Sequence, residues 1–125
     1  MKKSITPLGE TEMEILHHVW ELEEATVANV HERILSIRKV AYTTVMTVMK
    51  NLNEKGYLQY RKEGATYVYS AAQKPENVRS SLVSKIIEKV FKGSPSALIQ
   101  TLVNNEDLSK DELDEIKKII DEMES

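Results

Sequence analysis

The stretch "AYTTVMTVMKNLNEKG", residues 41–56, decides the fold. Five of the six residues from Thr43 to Val48 are β-branched, and by propensity they would favour a strand. Their apolar neighbours obey a different period. Val45, Val48, Met49 and Leu52 are spaced 3, 1 and 3, which cannot lie on one face of a strand but forms one stripe at about 100° per residue. Lys55-Gly56 then supplies a basic last turn and a glycine stop. Period outweighs propensity, and the segment reads as a helix over about 42–55. Its outward positions are Thr43, Met46, Thr47, Lys50 and Asn51, with Tyr42 and Thr44 at the margins and no carboxylate before Glu54.

Two helices are expected before it. In "LGETEMEILHHVWELE", Ile15, Leu16, Val19 and Trp20 recur at helical spacing. In "TVANVHERILSI", Thr26 is the expected N-cap and Val27, Val30, Ile34, Leu35 and Ile37 the expected apolar stripe. After Gly56 the period drops to 2. "YLQYRK" and "TYVYSA", separated by "EGA", predict a β-hairpin over 57–71. Three helices followed by a hairpin is the order of a winged helix-turn-helix domain, expected over residues 1–73.

"QKPEN" marks a break, with Pro75 placed to open a new helix. Residues 74–125 are expected to form a second, three-helix domain. Leu82, Val83, Ile86, Ile87, Val90 and Phe91 face one way on its first helix, and "SALIQTLVNNE", with Leu98 and Leu102, forms the second after a Ser94 N-cap. "SKDE" is a capping box from Ser109 to Glu112, and the helix it opens carries Leu113, Ile116, Ile120 and Met123 at spacing 3, 4, 3. Three short helices without a sheet cannot bury such faces alone, so pairing with a second copy is expected through Leu82, Ile86, Val90, Leu98, Leu102, Leu113, Ile116, Ile120 and Met123. The fold class is mainly α with a small β-hairpin: a winged-helix domain plus a helical dimerisation domain.

Composition narrows the function. With 41% hydrophobic and 30% charged residues the chain has the make-up of a globular domain. "MKKSITPLGETE" lacks the apolar run of a signal peptide, and no stretch approaches the length needed to insert in a membrane, so a cytoplasmic location is expected. The absence of cysteine excludes disulfides, thiol catalysis and thiolate metal sites. His17 and His18 point to different sides of a helix and do not form a metal pair, and no phosphate loop, nucleophile elbow or acid–base pair occurs. No enzyme activity, cofactor or metal is expected. The net charge of −3 conceals a strong asymmetry. Between Arg38 and Lys62 six basic residues face Glu54 alone, whereas Lys74–Ser125 holds eight basic and eleven acidic residues.

Short hydroxyls, an amide and a lysine on a carboxylate-free helix face suit a DNA major groove, with Arg61 and Lys62 on the hairpin beside neighbouring phosphates. An ordinary solvated face would favour Glu, Lys and Ala, which form helices better than threonine. A second reading is a protein-interaction module in which the winged helix is a scaffold and the acidic helical tail binds the partner.

The combination of "LGETEMEILHHVW", "TTVMTVMKNLNEKGYL", "YVYSA" and a three-helix tail resembles the penicillinase and methicillin-resistance repressors of the BlaI/MecI type over nearly the whole chain. The resemblance implies a homodimeric repressor on a palindromic double-stranded DNA operator. It places Thr43, Thr44, Thr47, Lys50 and Asn51 at base- and phosphate-facing positions and Arg61 and Lys62 on the wing. Asn51 stands where the family commonly has arginine, and Met46 where some members have a basic residue. In the better-known members a membrane β-lactam sensor protease triggers cleavage at an Asn-Phe pair in the second tail helix, and the corresponding residues here are Thr101 and Leu102. Copper-responsive relatives carry a C-terminal cysteine cluster, which this chain lacks.

Overall fold

The computed structural model describes residues 8–104 and 108–123, the side chain of Met123 lying outside the described residues. The element order is α1 (Glu10–Leu22), β1 (Glu24–Ala25), α2 (Val27–Leu35), α3 (Tyr42–Glu54), β2 (Leu58–Glu63), β3 (Thr66–Ala71), α4 (Pro75–Val90), α5 (Pro95–Asn104) and α6 (Lys110–Met123). The chain divides into two units, Met1–Leu82 and Val83–Ser125, with the division inside α4.

The first unit is built around the stripes that the sequence displays. Ile15, Leu16 and Val19 of α1, Val30 and Ile34 of α2, and Val45, Met49 and Leu52 of α3 are fully buried and share one core. Val48 and Trp20 pack at its edge. The β-branched residues of α3 thus stand in a helix because three of its turns each place an apolar side chain against α1 and α2. Burial of about 1.5–3 kcal/mol per large apolar side chain exceeds the few tenths that each threonine or valine costs a helix.

The ends of the elements follow local chemistry. Thr26 Oγ1 accepts the Asn29 amide at 3.1 Å while Asn29 Oδ1 accepts the Thr26 amide at 2.9 Å, a reciprocal cap that starts α2. Gly56, at φ +90°, lets the chain reverse directly from α3 into β2. The β2–β3 hairpin closes on Gly64-Ala65, with Gly64 at φ +62°. A third strand, β1, adds to its far edge, pairing Glu24 with Ser70 and Ala25 with Tyr69, so the sheet order is β1-β3-β2. Two residues are too few for a period, and nothing in the sequence announced this strand.

One expectation changes. Leu35 and Ile37 are 48% and 69% exposed rather than part of the α2 stripe, because α2 ends at Leu35 and the following turn carries Ile37 away from the core. Leu82, one of the expected dimer positions, is half-buried against the core of the first unit, one turn after the buried Val78. The opening two turns of α4 therefore belong to the winged-helix unit. In the second unit Val83, Ile86, Val90, Ile99, Leu102, Val103, Ile119 and Ile120 are exposed. Ser94 Oγ accepts the Ala97 amide at the start of α5, and Ser109 and Glu112 form the expected capping box on α6. No helix among the described residues is long and apolar enough to cross a membrane.

An ion pair ties the start of α1 to the end of α3. Lys55 Nζ donates to Glu12 Oε2 at 2.7 Å, and the Gly9 amide donates to Glu12 Oε1 at 2.9 Å. Burial pushes the Glu12 carboxyl up, but the hydrogen bonds from Lys55 and Gly9 and the Lys55 charge outweigh it and leave the group below the ordinary carboxylate value of 4.5. A depressed folded-state pKa contributes stability that is complete above the unfolded value and is lost as pH falls through the folded one. Thermal unfolding from about pH 6 to about pH 3 should therefore show a shallower loss of Tm for Lys55→Met than for the wild type. Identical slopes would mean that this pair contributes nothing to acid sensitivity.

Candidate nucleic-acid interface

The outward side of α3 is bare. Thr43, Thr44, Met46, Thr47, Lys50 and Asn51 are all exposed, and none of them is spent on the core. Core burial of Val45, Met49 and Leu52 on the opposite side fixes this orientation. The helix begins at Ala41 with no side-chain cap, so its first-turn amides lack the side-chain partner that α2 has. His31 of α2 lies under this start: its Nε2 donates to the Val40 carbonyl at 2.9 Å and its ring meets Tyr42 edge-on at 5.5 Å. At the other end, Asn53 Nδ2 donates to the Leu58 carbonyl at 2.9 Å and locks α3 to the root of the hairpin.

Between α3 and the hairpin lies an open cleft of about 1070 Å³. Met46, Thr47 and Lys50 form its helix wall, and Tyr60, Lys62 and Tyr67 its sheet wall. Thr43, Thr44 and Asn51 are not in this cleft and occupy the remaining exposed surface of α3. Tyr60 and Tyr67 stack with ring centroids 4.6 Å apart and planes 5° from parallel, while Tyr69 beneath them is buried. Tyr69 packs in the core, but Tyr60 and Tyr67 are 45% and 40% exposed. The period-2 alternation already put Tyr60 and Lys62 on one side of β2.

The basic middle of the chain is less free than its sequence count. Arg38 Nη2 pairs with Glu14 at 2.7 Å, Lys55 with Glu12 at 2.7 Å, and Arg61 with both Glu24 and Glu63 at 2.6 Å. The hydrogen bonds that Arg61 donates to Glu24 and Glu63 hold its guanidinium more firmly protonated than usual. Lys39, Lys50 and Lys62 make no ion pair among the described residues. Of the two wing residues expected to meet phosphate, Lys62 faces the cleft and Arg61 is held by two carboxylates.

Of the expected dimer positions, Ile86, Val90, Leu102 and Ile120 are exposed, Leu82, Leu98, Leu113 and Ile116 are half-buried, and the side chain of Met123 lies outside the described residues. Thr101 and Leu102 are exposed on α5, where Thr101 Oγ1 donates to the Ala97 carbonyl at 2.9 Å.

A helical core that presents an uncapped, hydroxyl-rich third helix beside a β-hairpin is the arrangement of a winged helix-turn-helix domain. The model of the family described as "Penicillinase repressor" matches residues 8–122. The chain belongs to the penicillinase repressor family. It is 32% identical over 123 residues to the transcriptional regulator BlaI of Mycobacterium tuberculosis, covering 97% of this chain and 88% of that protein. It is 26% identical over 113 residues to the methicillin resistance regulatory protein MecI of Mammaliicoccus sciuri, covering 90% and 92%. In structure it is similar to the DNA-binding domain of the repressor BlaI, with a TM-score of 0.54 at 22% identity, covering 61% of this chain and 93% of that one. The same fold recurs in monomeric Bacillus licheniformis BlaI bound to the blaP half-operator, with a TM-score of 0.50, covering 59% and 90%.

Proposed function

We propose that this protein represses transcription as a homodimer on a palindromic operator, each protomer setting α3 in a major groove and its wing over the flanking phosphates. The observation that carries the reading is the outward face of α3, where Thr43, Thr44, Met46, Thr47, Lys50 and Asn51 are exposed together and no carboxylate occurs before Glu54. Threonine and asparagine donate to phosphates or base edges, the Thr and Met methyls suit a thymine methyl, and Lys50 suits guanine or phosphate. The uncapped start of α3 adds amides favourable to a phosphate oxygen. Met46 and Asn51, which depart from the family pattern, are the positions that make the preferred operator this protein's own. Residues 1–73 carry the DNA contacts, and the pairing of two copies runs through the helices of 74–125.

Relief of repression follows the family route in this reading, with a membrane sensor protease leading to cleavage at Thr101-Leu102 in the cytoplasm. Both residues are exposed, but they stand in a formed helix, so the segment must open locally before a protease can hold it extended.

Footprinting on the DNA upstream of the protein's own gene tests the reading. A protected, two-fold symmetric site whose affinity falls steeply with salt is expected; salt-insensitive or undetectable binding to that DNA contradicts it. On the same site Thr47→Ala should lower specific affinity by about 1–3 kcal/mol while leaving binding to unrelated duplex nearly unchanged. An unaltered footprint and affinity would remove Thr47 from the reading set.

A further inference from the structure

The register of the hairpin sorts its side chains onto two faces. Tyr60 pairs with Tyr69 and Lys62 with Tyr67, while Arg61 pairs with Val68 and Glu63 with Thr66. Alternation therefore puts Tyr60, Lys62, Tyr67 and Tyr69 on the face that looks toward α3, and Arg61 and Glu63 on the reverse. The reverse face carries one guanidinium held at 2.6 Å by each of two carboxylates, Glu24 and Glu63. A phosphate approaching there meets a local charge of −1. The cleft face has the opposite balance, with Lys50 and Lys62 on facing walls and Glu54 the one carboxylate among its described lining residues.

We propose that one sugar–phosphate strand of the operator runs in the cleft between α3 and the wing, held by Lys62, Tyr60 and Tyr67, and that Arg61 binds no phosphate. This rests on the reading of α3 as the groove helix. The Lys62 ammonium lies 5.4 Å from the centroid of the Tyr67 ring, so the aromatic face keeps the charge over the cleft instead of letting it range in solvent. Tyr67 in turn is braced by its parallel stack on Tyr60. Both rings are exposed well beyond what the buried core needs, and each carries a hydroxyl able to donate to a phosphate oxygen. Tyr67 is thus a positioning residue for Lys62 as well as a contact in its own right.

The test is titration of the full-length protein with a fluorescent duplex from upstream of its own gene, over a series of salt concentrations. Lys62→Gln should lower the slope of log affinity against log salt by about 0.9 per protomer, the share of one phosphate contact. Tyr67→Leu should weaken binding several-fold and lower the slope similarly, because Lys62 loses its ring. Tyr67→Phe should keep the slope, because the ring remains. Arg61→Gln should leave the slope unchanged. Lys62 is exposed and outside the core, so its replacement leaves the fold intact and the result interpretable even if a tyrosine variant is unstable. A slope reduced by Arg61→Gln but not by Lys62→Gln overturns the assignment. Wild-type binding with normal salt dependence and an unaltered Lys62→Gln slope overturns it while leaving α3 as the groove helix. A wild type with no salt-dependent binding removes the underlying reading as well.

Discussion

Replacing Ile116 and Ile120 together by glutamate should yield a monomer and weaken binding to a full operator by about 10²–10⁴-fold, the gain that linking two half-site contacts supplies. Ile120 is exposed and Ile116 half-buried on one side of α6, four residues apart and therefore one turn apart. In the proposed dimer, a carboxylate at each position puts like charges across a two-fold interface, because each residue recurs in the partner copy. Affinity for a single half-site should change little, since α3 and the wing are untouched. Sedimentation measures the assembly, circular dichroism checks that α6 remains helical, and titrations on one and two half-sites separate the linkage from the contact. A double variant that still sediments as a dimer would place the interface elsewhere on the chain.

Leu52→Ala should lower the stability of the winged-helix unit by about 2–5 kcal/mol through lost transfer energy and a residual cavity. Leu52 is fully buried on α3, in the core that joins this helix to α1 and to the root of β2. For a unit of this size each kcal/mol shifts Tm by about 4–8 °C, so a fall of at least about 8 °C is expected by calorimetry. Ile37→Ala is the internal comparison. Ile37 is as large as Leu52 but 69% exposed, and its removal should stay within about 0.5 kcal/mol. Equal losses for the two would show that α3 is not anchored by this side chain. Because α3 also bears the proposed DNA-reading residues, Leu52→Ala should weaken specific binding near its lowered Tm and have little effect well below it.

Much of the site was legible before any coordinates. The 3-1-3 spacing in 41–56 identified α3 and therefore which of its residues point outward, and Thr43, Met46, Thr47, Lys50 and Asn51 are all exposed, as are Tyr42 and Thr44 at the margins. The same spacing rule overreached at Leu35 and Ile37, because periodicity cannot see that the helix stops at Leu35. Charge counting overreached too. It treated the segment from Arg38 to Lys62 as a free basic patch, whereas Glu12, Glu14 and Glu24, from 24 to 43 residues away in sequence, close on Lys55, Arg38 and Arg61. Such partners are invisible to a linear reading because the fold, not the local sequence, brings them within 3 Å.

What the sequence by itself determined is the six helices and the hairpin, without β1, together with their order and the core-facing stripes of α1 and α3, since these follow from local period, caps and glycine stops. What only the tertiary structure decided is which charges stay available. The hairpin register turns Arg61 toward Glu24 and leaves Lys62 over Tyr67 in the cleft. Pairing of β1 with β3 is what carries Glu24 to that place. A side chain's period tells which way it faces, but its electrostatic freedom depends on what distant segment folds beside it.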